Sequence, residues 1–320
     1  MSADSPTFSV IVCHYNDVGY LSDGLARVFA QSRVPDQVIL VDDGSDPDQR
    51  EIAETIVRAY PDLEMIWQSS NQGVVAAGNA GLERAYGDFV AWWSVDDHIA
   101  PDLIANVERA AVAHPTAGVI SPETHVAYED DERLVPAYTH RYGLSADRLF
   151  LTGDEFSALQ RRRYIWLGSS GAFIRRDVLV GQGGWREDLG LFADWTANYM
   201  AAFRHGVTLI GAPMSTIVRR ADSYSARVRA TRGAERRALN NLLDTLHEPG
   251  NASSRAALRH GALALSYAFG SLFATTTAAR PRDWDLLLAA AVHHGVHLAL
   301  RLLRRGNPDV ATLLKRDLNG

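Results

Sequence analysis

The chain has 320 residues, 47% hydrophobic and 22% charged, the proportions of a soluble globular protein with enough length for a sizeable core. Its net charge of −6 argues against general nucleic-acid binding, which needs a basic surface. A single cysteine, Cys13, excludes an intramolecular disulfide and fits a reducing cytoplasm, and Met1 to Thr7 lacks the basic-then-apolar pattern of a secretion signal.

The first third alternates strand-like and helical patterns. Phe8 to Cys13 is β-branched and apolar, and Leu21, Leu25, Val28 and Phe29 recur at helical spacing. Gln37 to Val41 is a second strand, followed by a helix from Pro47 to Tyr60. Leu63 to Trp67, a helix over Val74–Tyr86, and Asp88 to Trp93 continue the series. Pro101 opens another helix, at a position proline favours, and Ala117 to Ser121 is a fifth strand. Such alternation predicts an α/β fold, a mostly parallel sheet flanked by helices.

From Pro122 to Leu149 the pattern breaks into a polar stretch, read as a long loop. Regular structure is expected again at Tyr164–Leu167 and Gly171–Ile174, then a helix over Asp194–His205 and strands at Val207–Ile210 and Ser215–Val218. After about Ala230 the chain is helical in character. The tracts His260–Thr277 and Trp284–Leu303 are apolar-rich and near membrane-spanning length, but Asp285, His293, His294 and His297 interrupt the second. A C-terminal helical extension is expected, covering 231–320 and packing on the 1–230 domain or on a second copy. Peripheral membrane contact through Arg301, Arg304 and Arg305 is the alternative. His293 and His297 share a helix face, but a third metal ligand is lacking, so packing is the better reading.

Four strand ends carry the chemistry. Strand one ends in His14-Tyr15-Asn16 and strand two in Asp42-Asp43-Gly44-Ser45. Asn71-Gln72-Gly73 follows strand three, and strand four ends in Asp96-Asp97. In a parallel sheet these ends emerge on one edge, where such sheets bind ligands. A carboxylate after strand two suits a base N–H or ribose hydroxyl, and Tyr15 offers a packing face with a polar tip. The acidic pair supplies hard oxygen ligands for Mg²⁺ or Mn²⁺ beside a diphosphate. Each feature alone is ordinary turn chemistry.

Together these segments resemble the inverting family-2 glycosyltransferases of the GT-A fold, over roughly residues 7 to 225. Further matches are Asn79-Ala80-Gly81, Ala85-Tyr86-Gly87-Asp88 and Ser94-Val95-Asp96-Asp97-His98. The resemblance implies a GT-A type, Rossmann-like sheet binding a nucleoside-diphosphate-sugar donor, and transfer of the sugar to a glycan, glycolipid or other hydroxyl acceptor. It places Tyr15, Asn16, Asp42, Asp43, Asn71, Gly73 and Asp97 at the donor, Asp96 at a Mg²⁺ or Mn²⁺ ion, and Asp194 as catalytic base. Gly171 and Trp195 fall on the acceptor side, and Ser223-Tyr224-Ser225 on a lid. Helix capping is the rival role for Asp194.

Two departures stand out: Ser94 replaces the first acid of the family's Asp-x-Asp pattern, and Gly78 stands where an arginine often precedes the asparagine. Arg161 to Arg163 or Arg219-Arg220 are candidate substitutes for that arginine. A cytoplasmic setting, at the inner face of the membrane, in polysaccharide or glycolipid assembly follows from the same resemblance.

Other classes fit less well. A sugar-nucleotide pyrophosphorylase would want a glycine-rich loop after strand one, and a phosphoacceptor domain would carry its acidic pair there. A dinucleotide oxidoreductase would show Gly-x-Gly-x-x-Gly. A non-catalytic relative serving as a binding or assembly subunit is the competing reading, kept open by Ser94 and Gly78.

Overall fold

The computed structural model describes residues 5–130, 133–144, 147–221, 223–261, 265 and 271–292. Contacts divide the chain into two units, Met1–Phe156 with Ile165–Leu242, and Ser157–Tyr164 with Leu243–Gly320.

The first unit is built on a ten-stranded sheet. Its parallel half is β1 (Phe8–His14), β2 (Gln37–Asp42), β3 (Leu63–Trp67) and β4 (Phe89–Ser94), in the order β3-β2-β1-β4. Every residue of β1 and β2 is buried, as the unbroken apolar runs demand of strands covered on both faces. The crossover helices are α1 (Val18–Phe29), α2 (Pro47–Val57) and α3 (Val74–Arg84). Leu21, Leu25 and Val28 of α1 pack with Phe8, Val10, Val12, Ala91 and Trp93 in one core. Phe173 meets the Phe8 and Trp93 rings edge-on, at 5.6 and 5.9 Å.

Beyond β4 the sheet becomes mixed. It continues through β9 (Phe173–Arg175), β6 (Val119–Asp130), β10 (Val207–Arg219) and the short β5 (His98–Ile99), with β7 (Arg133–His140) on β6 and β8 (Arg148–Leu151) on β10. Its helices are α4 (Leu103–Ala113), α5 (Gly153–Arg162), α6 (Arg176–Gly181), α7 (Ala193–His205), α8 (Tyr224–Ala230) and α9 (Ala234–Thr245), α5 and α9 each running across a unit boundary.

Here the sequence reading is corrected in three places. The stretch read as a loop from Pro122 is the hairpin β6–β7 followed by β8. Its polar residues are tolerated because they are paired: buried Glu123 accepts the Tyr142 N–H at 2.7 Å, and Thr124 bonds Ser215 at 3.0 Å. Tyr164–Leu167 is irregular. The two late strands are one, β10, with its pairing to β6 shifted between Ile210 and Ser215.

In the second unit α10 (Ala252–His260) and a helix at Ser271–Ala278 are described. Buried Asp283 is held by Arg280 and His247, each at 2.7 Å, and Arg255 forms a two-pronged pair with Asp285. No helix among the described residues is long and apolar enough to cross a membrane. His293, His294, His297 and Arg301 to Arg305 lie outside the described residues.

Candidate active site

The carboxyl ends of β1, β2 and β4 open into one cavity of about 1120 Å³, closed on its far side by α7 and the segment after β10. Tyr15, Asn16, Asp43, Asn71, Gly73, Asp96, Asp97 and Asp194 all face it. Two of the four strand-end motifs are tied together by one side chain. Asn16, at the positive φ of 53°, receives the Asp46 N–H (2.8 Å) and donates to the Asp46 carboxylate (3.0 Å). Its amide is therefore spent on fixing the loop that presents Tyr15, which is 36% exposed.

The paired acids after β2 divide their labour. Asp42 is fully buried and takes the Ser45 N–H at 2.9 Å, facing His14 across 3.6 Å. It lies beneath the cavity and outside its wall. His14 is held from its other nitrogen by Asp17. Asp43 faces the cavity and clamps the turn after β3, accepting the Gln72 and Gly73 N–H groups at 2.7 and 3.0 Å. Burial raises its pKa against the pull of those two N–H donors. Cys13 lies at the cavity base as a neutral thiol, its pKa pushed up to about 12 by burial.

At the end of β4 the two carboxylates again differ. Asp96 accepts the Ser94 hydroxyl on one oxygen and Arg220 Nε, at 2.9 Å, on the other. Asp97 accepts the Val218 N–H at 3.2 Å, and burial together with the neighbouring Asp96 charge pushes its pKa up to about 8. No group of three or more His, Cys, Asp or Glu among the described residues forms a metal cage. Asp96 alone still suits a hard cation, because Mg²⁺ is commonly held by one or two carboxylates with substrate phosphates and water completing the shell.

Across the cavity, Asp194 sits in the first turn of α7. Phe192 is the N-cap residue, without a side-chain bond, so Asp194 is not the cap. Its carboxylate accepts the Ser169 N–H at 3.0 Å, and burial raises its pKa despite that bond. Tyr224 lines the same wall, its own pKa raised by burial and by the Asp194 charge.

Gly171 and Trp195 are not in the cavity wall. Gly171, at φ 78°, lets the chain pass tightly over Pro122 and Ser215, and buried Trp195 stacks on Tyr199 at 4.2 Å. Of the candidate arginines, Arg220 reaches the cavity, Arg219 lies over Tyr138, and Arg161 bonds His260 in the second unit. Trp92, Trp93 and Gln49 also line the wall and were not singled out as site residues from sequence.

Residues 9–175 match the profile of glycosyl transferase family 2, more than half of the chain. The chain belongs to that family. Among curated relatives, a glycosyltransferase of Haemophilus influenzae is 37% identical over 99 residues, which is 31% of this chain and 40% of that one. One of Nostoc is 30% identical over 203 residues, 61% and 59% of the two chains. The matches thus span less than two thirds of either relative. Among solved structures, S. aureus TarS 1–349 in complex with UDP-GlcNAc superposes with a TM-score of 0.64 at 17% identity, over 90% of this chain and 80% of that one. The mannosyltransferase PcManGT from Pyrobaculum calidifontis, in complex with GDP-Man and Mn²⁺, gives 0.51 at 22%, over 90% and 86%. At these identities the likeness shows the fold, and this family-2 chain has the GT-A fold expected of it.

Proposed function

We propose that this chain is an inverting glycosyltransferase that moves a sugar from a nucleoside diphosphate to a hydroxyl acceptor. The carrying observation is that Tyr15, Asp43, Asp96 and Asp194, distant in sequence, line a single cavity at the carboxyl edge of the sheet. The base and ribose lie between Tyr15, Asp43 and the Asn71–Gly73 turn, with Asp42 closing the turn to Ser45 from below. The diphosphate faces Asp96 and Arg220. A divalent cation, Mg²⁺ or Mn²⁺, when held by Asp96, supplies positive charge to the departing diphosphate.

Asp194 takes the proton of the acceptor hydroxyl as that oxygen attacks the anomeric carbon from the side opposite the diphosphate. Its raised pKa favours this role, since a base works best when its pKa approaches the working pH. The Ser169 N–H fixes the carboxylate's orientation, and Tyr224 closes the wall beside it. Gly171 and Trp195 act behind the acceptor side by packing. The donors in the TarS and PcManGT complexes, UDP-GlcNAc and GDP-Man, support a nucleotide-sugar here. Assembly of a polysaccharide or glycolipid in the cytoplasm, with the region from 231 meeting the membrane surface or a second copy, completes the reading.

The test is a panel of UDP-, GDP- and dTDP-sugars, scored for nucleoside diphosphate release and for thermal stabilisation with Mn²⁺. One donor is expected to do both. Stabilisation without release, with or without acceptors, would instead favour the non-catalytic subunit that Ser94 and Gly78 keep in play. No response to any nucleotide would remove both.

A further inference from the structure

Arg220 follows the last residue of β10 and pairs directly with Asp96 of the acidic pair. Its Nε lies 2.9 Å from Asp96 Oδ2, and the two side chains are only 11% and 7% exposed. The guanidinium lies over the Tyr20 ring, 4.2 Å from its centroid, and the Tyr20 hydroxyl donates to Glu129 at 2.8 Å. With Ser94 on its other oxygen, Asp96 has both oxygens engaged. The carboxylate best placed for a metal is therefore already neutralised by the chain itself.

This pairing has a physical cause. Asp96 and Asp97 lie side by side in a poorly solvated wall, and a lone carboxylate charge there is costly. A divalent cation arriving alone would have to break a largely desolvated ion pair and leave Arg220 without that partner. A diphosphate changes the balance. Guanidinium matches phosphate oxygens with parallel hydrogen bonds, so Arg220 can leave the carboxylate for a phosphate partner, and stacking on Tyr20 tolerates the slide.

Building on the donor reading above, we propose that Arg220 is an exchangeable counter-ion. It neutralises Asp96 in the empty site, passes to the donor's diphosphate on binding, and so frees Asp96 for the metal. Nucleotide and metal binding are then coupled, each strengthening the other by the same factor. Ser94 fits the scheme, since a second acid there would leave a charge that one arginine could not balance.

The experiment measures Mn²⁺ binding by the loss of its free-ion EPR signal, on the full chain, with and without UDP or GDP. It also measures nucleotide binding without metal, for wild type, Arg220→Gln and Arg220→Lys. Wild type should bind Mn²⁺ roughly tenfold or more tightly with nucleotide than without. Arg220→Gln should bind Mn²⁺ alone about tenfold more tightly than wild type and bind metal-free nucleotide about tenfold more weakly, with Arg220→Lys between. A folded Arg220→Gln variant, checked by its melting temperature, whose affinity for Mn²⁺ alone equals wild type overturns the exchange. So does unchanged metal-free nucleotide binding. If neither nucleotide binds wild type with or without Mn²⁺, the donor reading itself fails and takes this proposal with it.

Discussion

A Cβ on Gly78 would lie 3.1 Å from the ring of Trp92, so the indole fills the space a larger side chain on α3 would need. Trp92 is backed by Trp185, their rings 4.8 Å apart, and cannot readily yield. The arginine that the family resemblance leads one to expect at this point would meet that aromatic wall. Restoring it by Gly78→Arg should destabilise the protein by about 1–3 kcal/mol through overpacking, without tightening nucleotide binding. Gly78→Ala should be close to neutral, since better helix propensity offsets the tight contact. Urea unfolding measures both; a Gly78→Arg chain of wild-type stability would show that Trp92 moves aside.

Gly44 closes the turn that presents Asp43. It has φ 71°, and a Cβ there would overlap the backbone of Ser70. Gly44→Ala is expected to cost about 2–5 kcal/mol, combining left-handed strain with the clash. It should also loosen the Asp43 clamp on Gln72 and Gly73, visible as weaker thermal stabilisation by nucleotide. An unchanged melting temperature would contradict the tight turn.

Asp194→Asn keeps the shape of the side chain and removes the base. Turnover should fall by about 10²–10⁴-fold with nucleotide affinity nearly intact. Because burial raises the Asp194 pKa, wild-type kcat should climb with pH as this carboxyl loses its proton, the neutral form being inactive. Residual activity of the Asn variant should lack that rise. Wild-type turnover in the variant would reassign the base.

Asp97 should leave a signature in stability. Its folded pKa, about 8, stands above its ordinary value of 3.8, so between those pH values the folded chain holds a proton that the unfolded chain has released. The contribution of this group is fully present below the unfolded value and is lost as pH rises through the folded one. Asp97→Asn, which cannot ionise, should therefore gain melting temperature relative to wild type as pH climbs from about 5 to 9. Parallel curves for the two proteins would refute a buried neutral Asp97.

Metal removal tests Asp96 from the other side. EDTA should stop transfer, and Mn²⁺ or Mg²⁺ in excess of the chelator should restore it, followed as nucleoside diphosphate release. Full activity in chelator would mean that the cavity's own cations suffice.

The parallel half was legible because its signals are short-range. Strands β1 to β4 stand within about two residues of the apolar runs that announced them, as boundary uncertainty allows. Asp96, Asp97 and Tyr15 were legible as strand-end residues for the same reason. The β6–β7 hairpin was not, because Glu123 and Thr124 are buried by partners such as Tyr142 and Ser215, which hydropathy does not register. Adjacent identical residues were separated only by packing: Asp42 turned under the turn and Asp43 into the cavity. Trp195 falls on the acceptor side by the family resemblance, yet it is buried with its ring stacked on Tyr199 one helical turn on.

The order of residues was enough to establish a strand-and-helix alternation with acids at the strand ends, since periodicity and turn chemistry act over a few positions. It could not reveal that Arg220 meets an aspartate 124 positions earlier, or that Trp92 fills the space beside Gly78. Those facts depend on how distant segments share volume and charge once the sheet has closed around them, and no local pattern encodes that competition.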